Sequence, residues 1–350
     1  DDRTAPLWDL TGRETAVIRD ADGGVTGATF SPDGTRLLTT RYGDAASIRD
    51  LAGRELVALR GHEDIVSAAE FSPDGTRVVT ASSDRTARLW DLSGRELAVL
   101  RGHEARVVVG RFSPDGRHVL TSSEDRTVRL WDLAGQEVAV LRGHTGSIHR
   151  AVFSPDGTRV LTASEDKTAR LWDLKGRELA VLRGHASSIE CVAFSPDGAR
   201  IVTSSAYDND TRLWDATGRE LAAFRGHEHD VRSAAFAPGD GAVVLTASSD
   251  QSARLWSLAG DELTVLRGHA GSVMHAGFSP DGSRIVTASA DSTVRVWDRA
   301  GRTSAVLGEG DYPCVSAWFT PDGTRVVTTT IDTTARVFDL AGHDAPAAAP

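Results

Sequence analysis

Residues 71–103 read FSPDGTRVVTASSDRTARLWDLSGRELAVLRGH, and the chain repeats this segment with small changes along most of its length. When the copies are aligned on the Phe that precedes the Pro-containing turn, neighbouring anchors are 41 or 42 residues apart. Self-similarity at a period of about 40–45 residues is typical of arrays in which each copy forms one small sheet. The anchors of the eight copies are Phe30, Phe71, Phe112, Phe153, Phe194, Phe236, Phe278 and Phe319.

Within one copy, short segments rich in small and β-branched residues alternate with turn residues. The segments 65–71, 77–81, 86–90 and 96–100 predict four strands, and the Ser-Pro-Asp-Gly after Phe71 predicts a tight turn between the first two. None of these segments has the 3.6-residue period of an amphipathic helix. Four antiparallel strands in every copy predict an all-β fold, a single propeller of eight blades.

Two dipeptides that recur in most copies make the pattern more specific. Gly61-His62 precedes the first strand of a copy, and Trp90-Asp91 ends its third strand. In these features the chain resembles the WD-repeat β-propeller family, in the bacterial type with highly regular repeats. Gly-His recurs at 102–103, 143–144, 184–185, 226–227 and 268–269, and Trp-Asp recurs at 131–132, 172–173, 214–215 and 297–298.

The two ends of the array predict how the ring closes. The last copy lacks a fourth strand, whereas 15–18 resembles a fourth strand with no blade of its own. We expect this N-terminal outer strand to join the C-terminal blade beside 334–339, which leaves no unpaired blade. Residues 4–9 resemble the third strand of a copy and compete for the same position. Either they are a relic of duplication, or further repeats precede them. The predicted organisation is a lead-in with a partial repeat at 1–13, the eight-bladed propeller at 14–340 and a disordered tail at 341–350.

Charge and cysteine content restrict the partners. The formal net charge of −10 argues against nucleic acid and anionic membranes, because both favour positively charged proteins. No apolar stretch reaches the roughly 20 residues of a membrane span. Cys191 and Cys314 are too few for a disulfide framework, which favours a reducing, cytoplasmic location. We expect a monomer with no cofactor. We also expect no metal, since the loop histidines and Glu190 fall on different blades without a short ligand spacing.

A His, a Ser, an Asp and a Trp occupy fixed positions in the regular copies. The first three are the residue types of a hydrolase triad, but a triad needs one exposed nucleophile with an oxyanion site. The family resemblance implies a buried hydrogen-bonded group that ties two loops to the third strand. The predicted groups are His62, Ser82, Asp84 and Trp90; His103, Ser123, Asp125 and Trp131; His144, Ser164, Asp166 and Trp172; His227, Ser248, Asp250 and Trp256; and His269, Ser289, Asp291 and Trp297.

Three copies depart from this pattern. Blade five has His185, Asp208 and Trp214, but an extra residue within 206–210 obscures its Ser. Blades one and eight lack the group, because the His and Trp positions hold Ala21 and Arg49 in blade one, and Gly310 and Phe338 in blade eight.

Candidate binding residues are the positions that differ between copies. The residues three and five after the loop His, and the residue before the turn Asp, vary most. The family resemblance implies that these positions surround the upper end of the central channel, where partners bind. Ordinary variation of solvated loops is the alternative. The most distinctive residues are Arg106, His149, Glu190, Tyr207, Asp230, Arg232 and Met274.

These features favour a non-catalytic scaffold that binds a protein or peptide on its upper rim. By resemblance, such a propeller is the sensor or regulatory interaction domain of a larger signalling protein. One alternative is a recently duplicated structural repeat domain with no specific partner. The other is a propeller enzyme with its site in the central channel, which the near-uniform copies disfavour.

Overall fold

All the regular secondary structure in the described part of the protein is β-strand. The computed structural model describes the backbone of residues 4–8, 14–19, 25–205, 207–307, 312–330 and 335–340, and the side chains of those from 25 to 330 and of Leu340. No helix in these ranges is long and apolar enough to cross a membrane. The predicted tail at 341–350 lies outside the described residues, as do Ala21, Ala206 and Gly310.

Seven sheets contain four antiparallel strands each, ordered as in the chain, which confirms the predicted blade. We number these blades one to seven from the N-terminus. Their first strands are β3 (Val25–Phe30), β7 (Val66–Phe71), β11 (Val107–Phe112), β15 (Ile148–Phe153), β19 (Ile189–Phe194), β23 (Val231–Phe236) and β27 (Val273–Phe278). Their second strands are β4 (Arg36–Arg41), β8 (Arg77–Ser82), β12 (His118–Ser123), β16 (Arg159–Ser164), β20 (Arg200–Ser205), β24 (Val243–Ser248) and β28 (Arg284–Ser289).

The outer half of each blade is a third and a fourth strand. The third strands are β5 (Ala45–Asp50), β9 (Thr86–Asp91), β13 (Thr127–Asp132), β17 (Thr168–Asp173), β21 (Thr211–Asp215), β25 (Ser252–Ser257) and β29 (Val294–Asp298). The fourth strands are β6 (Glu55–Arg60), β10 (Glu96–Arg101), β14 (Glu137–Arg142), β18 (Glu178–Arg183), β22 (Glu220–Phe224), β26 (Glu262–Arg267) and β30 (Thr303–Leu307). Because the strands are antiparallel, the loops between second and third strands share one face with the loops that enter the first strands. We call this the upper face; the Ser-Pro-Asp-Gly turns lie on the lower face.

The hydrophobic core lies between blades rather than within them. Leu38 and Ile48 of blade one pack with Val66 and Trp90 of blade two in a single cluster, and the same arrangement recurs around the array. A four-stranded sheet therefore buries its faces only against its neighbours, as expected for a repeat fold. The second strands are the most buried part of each blade, which explains their runs of Val, Leu, Ile, Thr and Ala.

The eighth blade has three described strands, β31 (Cys314–Phe319), β32 (Arg325–Thr330) and β33 (Ala335–Asp339). Val327 of this blade packs in one cluster with Val25 and Leu37 of blade one, so the last sheet lies against the first.

The N-terminal strands pair differently from the prediction. We expected the fourth-type strand, β2 (Glu14–Arg19), to hydrogen-bond to β33, but its described partner is β1 (Thr4–Trp8). The register of this pair is that of a third and a fourth strand, because Thr4 lies opposite Arg19 just as Thr86 lies opposite Arg101 in blade two. β1 and β2 thus form the third-and-fourth hairpin that their sequences encode, and β1 lies beside β33.

A glycine in each turn between the third and fourth strands allows one blade to approach the next. Gly94 has φ +85°, and a Cβ on it would lie 2.7 Å from Cγ1 of Val57 in blade one. Gly34, in a lower-face turn, has φ +68° and no atom within 4 Å of the Cβ position. The two glycines therefore share a left-handed backbone but differ in the space around them.

We predict that Gly94→Ala destabilises the protein more than Gly34→Ala. Both substitutions place a side chain in the left-handed region, which costs about 1–2 kcal/mol. Gly94→Ala adds overpacking against Val57, worth about 1–3 kcal/mol more. Chemical denaturation of the two variants and the parent protein measures the difference, and equal midpoints would show that this contact between blades is not tight.

Candidate functional site

A chain of hydrogen bonds runs through the interior of each regular blade, beneath the upper face. In blade two the indole Nε1 of Trp90 lies 2.8 Å from Oγ1 of Thr80, and Nε2 of His62 lies 2.7 Å from the same oxygen. Nδ1 of His62 lies 2.7 Å from Oδ2 of Asp84. We call this Trp–Thr–His–Asp chain the relay.

The chemistry of the two ends sets the direction of the relay. An indole N–H can only donate and a carboxylate can only accept. Thr80 therefore accepts from Trp90 and donates to Nε2 of His62, which leaves the imidazole proton on Nδ1, where it is donated to Asp84. Burial lowers the pKa of His62, which keeps the imidazole neutral as this pattern requires.

Asp84 connects the relay to two loops. Its carboxylate accepts the backbone N–H of Glu63 at 3.1 Å, and the backbone N–H and hydroxyl of Thr86 at 2.9 and 2.6 Å. Burial alone would raise the pKa of Asp84, but the hydrogen bonds from Thr86 and His62 outweigh it and lower the pKa to about 2. The ionised carboxylate thus holds the loop that enters the first strand against the loop between strands two and three.

The predicted Ser is not the hydroxyl that joins His62 to Trp90. Ser82 donates instead to the carbonyl oxygen of Asp64 at 2.9 Å and accepts the backbone N–H of Asp84 at 3.1 Å. Thr80 and Ser82 point to the same side of β8, because side chains alternate along a strand. The same correction applies to Ser123, Ser164, Ser248 and Ser289, each of which caps the upper loops in this way.

Six blades contain a complete relay, including blade five despite its extra residue. Comparison of the copies could have identified the Thr, because every copy has one at this position whereas the Ser position also holds Arg41 and Thr330. The further relays are Trp131–Thr121–His103–Asp125, Trp172–Thr162–His144–Asp166, Trp214–Thr203–His185–Asp208, Trp256–Thr246–His227–Asp250 and Trp297–Thr287–His269–Asp291.

Blade one replaces the indole with a guanidinium. Arg49 is buried, and its Nε donates to Oγ1 of Thr39 at 3.1 Å, the bond that Trp90 makes in blade two. Another nitrogen of Arg49 donates to the carbonyl oxygen of Gly53 at 3.1 Å. A donor to the central Thr therefore persists where the Trp is absent.

We predict that Thr80→Val lowers the free energy of unfolding by about 2–6 kcal/mol. The substitution keeps the side-chain shape but leaves Nε2 of His62 and Nε1 of Trp90 without partners, and each unpaired buried group costs about 1–3 kcal/mol. Thr76→Val, in an exposed lower turn, is the matched control and should change stability by less than about 0.5 kcal/mol. Similar losses for the two variants, measured by denaturant unfolding, would contradict the role given to Thr80.

The first strands carry the variable residues to the mouth of the central channel. Every first strand contains a β-bulge at its second residue, which therefore has no partner on the second strand. A bulge re-aims the side chain it carries. The bulge residues are Thr26, Ser67, Val108, His149, Glu190, Arg232, Met274 and Val315, and all of them except Val108 and His149 line the central cavity.

The upper-rim residues of blades five and six come together in one group. The backbone N–H of Tyr207 donates to Oδ1 of Asp230 at 3.1 Å, across the boundary between the blades. Arg232 pairs with Asp230 at 3.4 Å and donates to the hydroxyl of Ser249 at 2.9 Å. Glu190, which accepts a hydrogen bond from Ser188, lines the cavity beside this group.

Other predicted residues lie elsewhere on the rim. Arg106 donates to the hydroxyl of Ser67 in blade two at 3.1 Å, and its guanidinium is 4.0 Å from Glu124. His149 pairs with Glu165 within blade four at 3.1 Å. Met274 lines the cavity from blade seven. These residues are separate contacts around the rim and do not join the group of blades five and six.

Prediction from sequence missed an exposed apolar pair on the same face. Tyr42 is 63% exposed and Ile65 is 41% exposed, and a backbone hydrogen bond of 2.9 Å from Val66 to Gly43 brings their loops together. The rarity of tyrosine was an available signal, since the chain has three, and Tyr42, Tyr207 and Tyr312 are all exposed on upper-face loops.

The described residues offer little for metal or nucleophilic chemistry. No group of three or more His, Cys, Asp or Glu side chains in the described ranges could hold a metal ion. The relay side chains are buried, and Ser82 makes no hydrogen bond to His62. A serine-hydrolase triad needs that bond and an exposed hydroxyl.

Comparison with known proteins identifies the family. The profile of the first β-propeller of IFT122 matches residues 107–344, and that of the WD domain, G-beta repeat matches residues 53–91. The chain belongs to the WD-repeat β-propeller family. This confirms the resemblance seen in the Gly-His and Trp-Asp dipeptides. WD-repeat propellers generally serve as protein-interaction scaffolds.

Among solved structures, the chain is similar to the computationally designed protein Ika8. The two share 26% sequence identity and superpose with a TM-score of 0.80, over 96% of this chain and 99% of that chain. No curated protein matches the chain.

Proposed function

We propose that this WD-repeat propeller binds a protein or peptide on its upper rim, at the group formed by Tyr207, Asp230 and Arg232. The observation that carries the proposal is the loop of blade five, where one extra residue interrupts an otherwise regular repeat. Tyr207 in this loop has φ +66° and is 79% exposed. A bulky residue with positive φ is strained, and such strain persists only where the surroundings impose it.

The surroundings that impose this conformation come from the next blade. Asp230 accepts the backbone N–H of Tyr207, and the side chain of Asn209 donates to the carbonyl oxygen of Glu228 at 3.1 Å. The ring of Tyr207 is therefore presented to solvent on a loop that is fixed at both ends. A rigid, exposed Tyr supplies contact area at small entropic cost, which is the property that makes Tyr frequent in binding hot spots.

The polar residues beside Tyr207 define the chemistry of the partner. The side chain of Arg232 is 43% exposed although its guanidinium pairs with Asp230, so it can still donate to a carbonyl or carboxylate oxygen of a partner. Glu190 offers a carboxylate on the channel side of the group. These three side chains suit a peptide segment that places an apolar residue on Tyr207 and polar groups of both charges over the channel mouth.

We infer that this binding serves regulation rather than catalysis, as in a sensor or interaction domain of a larger signalling protein. The copies differ mainly at single residues of the rim and of the channel wall, whereas a catalytic centre requires several converging groups. The chain has only two cysteines, too few for a disulfide framework, which favours a reducing compartment such as the cytoplasm. We take a single chain as the binding unit, with the ring closed around its channel.

We predict that peptides selected from a random library on the immobilised protein lose affinity for the double variant Tyr207→Ala, Arg232→Gln by a factor of about 10 or more. The double variant removes the exposed ring and the charge beside it, and truncation of one hot-spot residue costs about 2 kcal/mol or more. Arg117→Gln, which replaces an exposed arginine on the lower face, is the control and should bind like the parent protein. Fluorescence anisotropy of the selected peptides measures the affinities.

Two results would contradict the proposal. Selected peptides that bind the double variant as tightly as the parent would place the site elsewhere. A selection that enriches no peptide would contradict peptide binding on this rim.

A further inference from the structure

The first strands enclose a central cavity of about 960 Å³, whose walls differ from side to side. The third residue of each first strand shows the difference most clearly. Blades one to three have Gly27, Ala68 and Val109 there, and blades four to eight have Arg150, Cys191, Ser233, His275 and Ser316. At this position blades one to three therefore carry only small or apolar residues, while blades four to eight carry polar or sulfur-containing side chains. A cavity of this size can hold a small organic molecule.

Three side chains in the cavity have no counterpart in the other blades. Arg150 and His275 both occupy the third position of a first strand, where the other copies have small or uncharged residues. Trp318 occupies the fifth position, where no other copy has a Trp. The blade fold does not require these side chains, since the other blades form without them. Gly277, the residue of blade seven equivalent to Trp318, lies beside His275, since a Cβ on it would be 3.4 Å from Cε1 of that ring.

His275 and Trp318 form an aromatic wall. Their ring centroids are 4.9 Å apart with an interplanar angle of 53°, and both residues line the cavity. Trp318 is 45% exposed, an unusual exposure for an indole inside a channel. Nδ1 of His275 is buried and has no hydrogen-bond partner. A buried imidazole nitrogen without a partner is costly unless a ligand completes it.

Arg150 supplies a positive charge to the same space. Among the described residues it has no carboxylate within ion-pair distance, and it lines the cavity. Arg150 and His275 line the same cavity. Burial lowers the pKa of His275 to about 4 despite a hydrogen bond with the backbone of Ala317, and the charge of Arg150 lowers it further. By contrast, Nε of Arg111, lower in the cavity, lies 3.9 Å from Oε2 of Glu70, whose carboxylate compensates the charge of the guanidinium.

We propose that the central cavity binds a small planar aromatic anion, with Arg150 receiving its carboxylate and the face of Trp318 receiving its ring. Guanidinium groups recognise carboxylates by paired hydrogen bonds, and aromatic rings stack with centroids about 4.5–7 Å apart. This site is distinct from the peptide site of the rim, and either can exist without the other.

Isothermal titration calorimetry with 2-naphthoate tests the site directly. The parent protein should bind one molecule of 2-naphthoate per chain. It should bind 2-naphthylmethanol, which has the same ring without the charge, at least about tenfold more weakly. Arg150→Gln and Trp318→Ala should each weaken binding of 2-naphthoate by about tenfold or more, a difference of about 1.4 kcal/mol. Arg117→Gln and Leu263→Ala, at exposed positions outside the cavity, should leave the affinity unchanged.

Two results of these titrations would contradict the proposal. Failure of the parent protein to bind 2-naphthoate, or equal binding by Arg150→Gln, would overturn the proposal. Arg150 is exposed in the cavity and its replacement should not affect folding, so this variant decides the question even where Trp318→Ala unfolds. Thermal unfolding of each variant verifies that the protein tested is folded.

Discussion

A hydrogen-bonded chain that can run in only one direction underlies the whole structure. It begins at an indole that can only donate and ends at a carboxylate that can only accept, so the hydroxyl and the imidazole between them have no freedom of orientation. In blade two, Trp90 is also the residue that packs against blade one, and Asp84 also holds the upper loops. One set of side chains thus joins the core between blades to the surface where partners would bind. Its repetition in six blades makes the upper face a rigid platform.

Much of this arrangement follows from sequence and some of it does not. The 41- or 42-residue period, the turn residues and the alternation of small and β-branched residues were sufficient to predict the strands. The His, the Asp and the Trp of the relay were also recognisable. Residues 80 and 82 face the same side of one strand, so both were candidates, and the presence of Thr in every copy was the signal that could have decided between them. The contacts show that Thr80 completes the relay and that Ser82 caps the loops.

The candidate sites depend on long-range placement that a linear pattern does not reveal. Asp230 supports Tyr207 from the next blade, and Arg150, His275 and Trp318 line one cavity although they belong to three different blades. The bulge at the second residue of each first strand is equally silent in sequence, yet it decides which side chains reach the channel mouth. The two proposed sites therefore lie at departures from the repeat, on a scaffold that the repeat itself builds. Blade one shows how far the repeat tolerates departure, since Arg49 takes over the donor role of the indole.

The protonation of the relay histidines tests this account most directly. Nitrogen-15 NMR of the imidazole rings at pH 7 distinguishes the neutral Nδ1–H form, the neutral Nε2–H form and the imidazolium. The account predicts the proton on Nδ1 in the neutral form of the relay residues, and the lowered pKa values of His62, His144 and His269 predict that these three stay neutral as the pH falls through 6.5. Nε2–H tautomers at the relay residues, or imidazolium rings at pH 7 for these three, would contradict it. The resonances to assign are those of His62, His103, His144, His185, His227 and His269.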